Sequence, residues 1–107
     1  MKAPIVLAVD TNDIEIAKQW IAATKDSVSV YKLGLEFFLK FGREGYKAVT
    51  ENSDADIFLD LKLHDIPNTV GSATSSVADL SPRFLTVHAS GSRAMIKAAV
   101  DAAPHVN

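Results

Sequence analysis

Four short runs rich in β-branched and aromatic residues, PIVLAVD (4–10), VSVYKLG (28–34), DIFLDLK (56–62) and FLTVH (84–88), punctuate the chain, and each is followed by a longer stretch with helical spacing. Strands alternating with helices in this way form βαβ units, whose strands lie parallel and whose crossovers are right-handed. The helical stretches carry their own signals. After the first run, Thr11 and Asn12 offer N-caps, and Ile14, Ala17 and Ile21 recur on one face. After the second, LEFFLKFGREGYKAV is interrupted at Gly42 and Gly45, which predicts a short helix, a turn and a second helix to about Val49. After the third, Pro67 suits a first helical turn, where its missing N–H is no loss, and Val70, Ala73, Val77 and Leu80 form a stripe that Ser81 and Pro82 stop. After the fourth, Ser90, Gly91 and Ser92 supply a cap, and Met95, Ile96, Ala99 and Val100 an apolar face. The expected α/β architecture is four successive βα units with no linker or low-complexity tract.

Every run ends in a polar or ionisable residue: Asp10, Lys32, Asp60 with Lys62, and His88. Parallel strands gather such residues at their C-terminal edge, where α/β barrels and open α/β sheets alike build their sites. Alternation puts Phe58, Asp60 and Lys62 on one face of the third run and Leu59, Leu61 and Leu63 on the other, packed against helices. Val28, Val30 and Lys32 form a matching set on the second run, and Val6, Ala8 and Asp10 on the first. Each residue also has a plain structural reading. Asp10 suits a turn or a cap, Lys32 a solvated strand end, and Asp65 a cap for the helix near Pro67. His64 and His88 suit hydrogen-bonded structural roles. Burying charge is costly unless it is paired, so the combination D-x-K-x-x-D at a strand-to-helix junction, with Lys32 one strand away, points to a site.

Composition narrows the partners. The 107 residues are 48% hydrophobic and 22% charged, enough for one small core. A net charge of −2, with the 11 Lys and Arg scattered, gives no footprint for nucleic acid. The absence of cysteine excludes disulfides and thiolate metal sites and fits a reducing compartment. The opening MKAPIVLAVD is too short for a signal peptide or a membrane span, so a cytoplasmic chain with no membrane partner is expected.

The run LDLKLHDIPNTV (59–70) resembles the signature of the orotidine 5′-monophosphate decarboxylase family, and VLAVD and YKLGLEFFLKFG resemble that family's first two strands in the right order and spacing. The resemblance covers essentially the whole chain, and its most specific piece is D-x-K-x-H-D-I-P-N-T. It implies a TIM (β/α)8 barrel working as a homodimer, without metal or organic cofactor, that converts orotidine 5′-monophosphate to UMP in pyrimidine biosynthesis. It further implies a charged network of Lys32, Asp60, Lys62 and Asp65, with Lys62 delivering a proton to the carbon that loses CO₂. Asp10, with Lys32, would bind the nucleotide, Asp10 through a ribose hydroxyl. Asp65, Ile66 and Thr69 would reach into the neighbouring subunit's site.

A (β/α)8 barrel takes about 250 residues, so residues 1–107 are expected to be the N-terminal part of a single barrel domain, a half-barrel of about four units. The family's phosphate-gripping loops lie near its last strands. This chain alone is therefore expected to have little or no activity, and to self-associate through open sheet edges. Two other readings stay in view. A Mg²⁺-dependent sugar-phosphate decarboxylase or aldolase of the same superfamily shares D-x-K-x-x-D, but there the second strand supplies a carboxylate where this chain has Lys32. A receiver-type domain would use Asp60 as phosphoacceptor, but its paired acidic residues after the first strand are replaced by Thr11 and Asn12.

Overall fold

A computed structural model describes residues 2–107. Its elements alternate without exception: β1 (Ala3–Ala8), α1 (Ile14–Thr24), β2 (Val28–Gly34), α2 (Leu35–Thr50), β3 (Asp56–Leu63), α3 (Pro67–Ala78), β4 (Phe84–Val87) and α4 (Arg93–Ala102), with a 3-10 turn at Ala89–Gly91. The strands form one parallel sheet in the order β1-β2-β3-β4. That order is decisive. A receiver-type open sheet is wound 2-1-3-4-5, reversing at a switch point, whereas here every strand lies beside its sequence neighbour, as in a barrel wall. The smallest dimension, 22 Å, fits one sheet and one layer of helices.

The helix side of the sheet holds the core. Val9, Tyr31, Leu33, Ile57 and Leu59 pack with Ala17 and Ile21 of α1, Phe37, Tyr46 and Val49 of α2, and Val77 of α3. A smaller cluster joins Val70 of α3 to Met95 and Ala99 of α4. Polar groups inside are mostly paired: the Tyr31 hydroxyl meets Thr24 Oγ1 at 2.7 Å, and the Tyr46 hydroxyl donates to Leu80 O at 3.2 Å. Burial pushes the Tyr46 phenol up to about 12. The opposite, inner face is open, leaving Val6 52% and Phe84 38% exposed.

Several sequence expectations change in detail. Asp13, not Thr11 or Asn12, caps α1, accepting from the N–H groups of Glu15 and Ile16; Thr11 Oγ1 instead accepts from Asp13 N, setting up the cap one step earlier. In α2 only Gly42 breaks the helix, at φ 60° and ψ −154°, a region essentially confined to glycine. Gly45 is helical and buried, and a side chain there would collide with Phe41. Pro67 does open α3, but the N-cap is Ile66, and it supplies no side-chain bond. Ser92 caps α4 through Met95 N, and Val100, expected on the apolar face, is 56% exposed. Val28 joins the helix-side core and not the inner face, at the end of the sheet where the β1–β2 register slips.

Candidate active site

The ladder register carries the site. Ala8 pairs with Lys32, Lys32 with Phe58, Gly34 with Asp60, and Phe58 with Phe84. Paired residues of parallel strands point to the same side, so Lys32, Asp60 and Thr86 stand on the inner face near the strand ends. Asp10 follows β1 at the same edge. Asp10, Lys32, Asp60 and Lys62 line one open cleft of about 460 Å³, together with Thr11, Asn12, Gly34 and Glu36. Gly34 keeps that cleft open beside Asp10, whose Oδ1 lies 3.8 Å from where a β-carbon would stand.

Asp60 is the centre of the charge cluster. It is 5% exposed, and its Oδ2 receives Lys62 Nζ at 2.8 Å and Lys32 Nζ at 3.2 Å. Its Oδ1 accepts from Thr86 Oγ1 at 2.8 Å. Burial pushes the Asp60 carboxyl up, but hydrogen bonds from Lys62, Thr86 and Lys32 outweigh it and hold the group below the usual carboxylate value. The site therefore keeps a carboxylate flanked by two ammonium groups. Lys62 is the more exposed of the two: its side chain is 58% exposed, against 26% for Lys32.

The strict alternation expected along β3 fails at Lys62. The β3–β4 register shifts between Leu59 and Leu63, and Lys62 has φ 51°, a left-handed conformation that costs an L-residue about 1–2 kcal/mol. Bulges of this kind re-aim side chains at sheet rims and beside active sites. Here the distortion accompanies an ammonium that still meets Asp60 and faces the cleft.

Other candidates lie elsewhere. Asp65 does not reach the cluster within this chain: its Oδ1 accepts from the N–H of Ile66 at 2.7 Å. Ile66 is 64% exposed, and Thr69 is exposed on the first turns of α3. His64 and His88 do not make the side-chain hydrogen bonds expected of them. Their rings stack on each other at 4.8 Å between centroids, and both residues are exposed. Among the described residues, no group of three His, Cys, Asp or Glu side chains gathers to hold a metal ion. Sequence reasoning overlooked Thr86, although its position two residues after Phe84 on a strand facing Phe58 and Asp60 marks it as a polar residue on the inner face.

A strand-by-strand parallel βα wall with acids and lysines at the C-terminal mouth defines an α/β-barrel protein with a charged strand-end site. The model of the orotidine 5'-phosphate decarboxylase / HUMPS family matches residues 3–107, and the chain belongs to that family. It is 52% identical over 104 residues to an orotidine 5'-phosphate decarboxylase of Thermobifida fusca, covering 97% of this chain and 45% of that protein. A second such enzyme, from Ehrlichia canis, is 48% identical over 98 residues, 92% of this chain and 42% of its own length. The crystal structure of orotidine 5'-phosphate decarboxylase from Pyrococcus horikoshii superposes with a TM-score of 0.84 at 29% identity, over 90% of this chain and 46% of that one. That of orotidine 5'-monophosphate decarboxylase from Methanocaldococcus jannaschii, complexed with inhibitor BMP, does so with 0.88 at 25%, over 97% and 48%. The chain spans about half the length of the curated relatives it matches.

Proposed function

We propose that residues 1–107 are the N-terminal part of a single barrel domain that decarboxylates orotidine 5′-monophosphate to UMP in pyrimidine biosynthesis, in the cytoplasm and without metal or organic cofactor. The observation that carries this reading is the contact of Lys62 and Lys32 with one buried oxygen of Asp60. The Lys62 ammonium, 2.8 Å from Asp60 Oδ2, stands on the lining of the cleft and is placed to act as the acid. A substrate carboxylate placed near Asp60 is repelled: two like charges about 4 Å apart at an effective dielectric of about 20 interact by roughly 4 kcal/mol. As the carbon–carbon bond breaks, CO₂ departs, the electron pair stays on the pyrimidine carbon, and the Nζ–H proton of Lys62 passes to that carbon. Lys62 then regains a proton from water. Repulsion is the smaller term, since difficult reactions need up to roughly 23 kcal/mol. Stabilisation of the developing carbanion by Lys62, and binding energy drawn from the remote phosphate, supply more.

Asp10, on the same cleft, is assigned to a ribose hydroxyl, with Lys32 beside it. Asp65, Ile66 and Thr69 are assigned to the site of a second copy in a homodimer. Their exposure, and the bonding of Asp65 to the neighbouring Ile66 N–H, support that reading. The Mg²⁺-dependent alternative is disfavoured by Lys32, whose ammonium occupies the Asp60 oxygen that a divalent cation would need.

We assign the grip on the phosphate to residues beyond these four units; among the described residues no arginine lines the cleft. The test measures CO₂ release from orotidine 5′-monophosphate by the 107-residue chain and by a barrel in which a second four-unit half completes it. Only the completed barrel is expected to turn over, and Lys62→Ala should reduce it to background. Turnover indifferent to Lys62 would refute the assignment, and robust turnover by the verified 107-residue chain would refute its dependence on a second half.

A further inference from the structure

The hydroxyl of Thr86 makes two hydrogen bonds within the site. It donates to Asp60 Oδ1 at 2.8 Å and accepts the backbone N–H of Lys62 at 2.7 Å. Their directions follow from chemistry: an ionised carboxylate only accepts, an amide N–H only donates, and a hydroxyl has one proton and free lone pairs. With Oδ1 held by Thr86 and Oδ2 by the two ammonium groups, the carboxylate is fixed at both ends. The second bond falls on the residue with φ 51°, where the β3–β4 register shifts and the regular ladder cannot serve the Lys62 N–H.

We propose that Thr86 is a positioning residue of this site: one hydroxyl holds both the Asp60 carboxylate and the left-handed backbone of Lys62, and so sets where the Lys62 ammonium stands at the cleft. The consequence for proton delivery rests on the decarboxylase reading above, but the arrangement itself does not. A threonine that merely satisfied its own hydroxyl on the nearest oxygen would leave the Lys62 backbone indifferent to its loss.

The test uses the 107-residue chain as wild type, Thr86→Val and Thr86→Ser. The Asp60 carboxyl carbon is followed by NMR through an acid titration, and the Lys62 amide by hydrogen exchange. Valine keeps the shape and deletes the hydroxyl. It should raise the Asp60 midpoint toward the ordinary 3.8 and speed exchange at Lys62 by about five- to tenfold, while serine restores both to wild-type values. A valine variant unchanged in both readouts overturns the proposal, as does a serine variant that behaves like valine. If Thr86→Val does not fold, Thr86→Ser decides alone: wild-type values support the proposal, and a raised Asp60 midpoint overturns it. No substrate is used, so failure of the decarboxylase reading would appear separately, as absent CO₂ release by the completed barrel with these readouts as expected.

Discussion

Lys62 Nζ meets Asp60 Oδ2 at 2.8 Å from only two positions further along the same strand, across a stretch of backbone that has left regular β geometry. The charge pair and the distortion belong together. The strand gives up a stretch of ladder regularity, and its rim presents an ammonium to the cleft beside a carboxylate that stays buried.

Lys62→Gly separates chemistry from stability. Glycine adopts φ 51° freely, which removes a strain of about 1–2 kcal/mol, although it adds freedom to the unfolded chain worth about 0.5–1 kcal/mol. The ion pair lost has an exposed cation, and such pairs contribute about 0–1 kcal/mol. Urea denaturation should therefore show a change within about 1 kcal/mol, while CO₂ release by a completed barrel falls to background. A loss of roughly 3 kcal/mol or more would mean that Lys62 holds the fold, against this account.

Asp60 sets a pH dependence with a definite sign. Its folded value is depressed below the ordinary 3.8, so the stabilisation it contributes is complete above that value and disappears as pH falls through the lower, folded one. Denaturation midpoints measured between about pH 2 and 6 should fall on the acid side more steeply for wild type than for Asp60→Asn. Parallel curves would show that Asp60 is not held ionised by its neighbours.

Gly42 and Gly45 should fail for different reasons. At Gly42 an added β-carbon meets nothing within 4 Å, so Gly42→Ala bears only backbone strain, about 1–3 kcal/mol. At Gly45 the new atom would stand 2.2 Å from Phe41 Cβ, an overlap that α2 can relieve only by moving its backbone, at about 1–3 kcal/mol or more. Thermal unfolding should show both variants destabilised. Only Gly45→Ala should also disturb the aromatic signals of Phe37 and Phe41, whose rings sit 5.0 Å apart.

Ile66 tests the proposed homodimer and its shared site. It is 64% exposed in the single chain, so Ile66→Asp should leave monomer stability within about 0.5 kcal/mol while shifting a sedimentation profile from dimer to monomer. A dimer unaffected by this change would remove Ile66 from the interface.

Much of the fold was legible because apolar periodicity is a local property. The β2 limits match the expected run, Ala17 and Ile21 are buried as their spacing requires, and Pro67 opens α3. Among the polar run ends, Asp10, Lys32, Asp60 and Lys62 do meet on one cleft. His88 does not join them, since its ring is taken up by stacking on His64. The cap of α1 was misplaced by one or two residues because Thr11, Asn12 and Asp13 can all cap, and only the backbone path chooses among them.

From sequence alone came the alternation of strand and helix, the polar strand ends and the candidate charges, because each depends on residues close together along the chain. Tertiary structure decided the strand order, which separates a barrel wall from an open sheet, and the slip in register that accompanies the left-handed backbone of Lys62. It also decided the part played by Thr86, whose two partners lie more than twenty residues away. The physical reason is that register and hydrogen-bond pairing between strands are settled by packing across the sheet, and no local pattern encodes which hydroxyl will stand opposite which carboxylate.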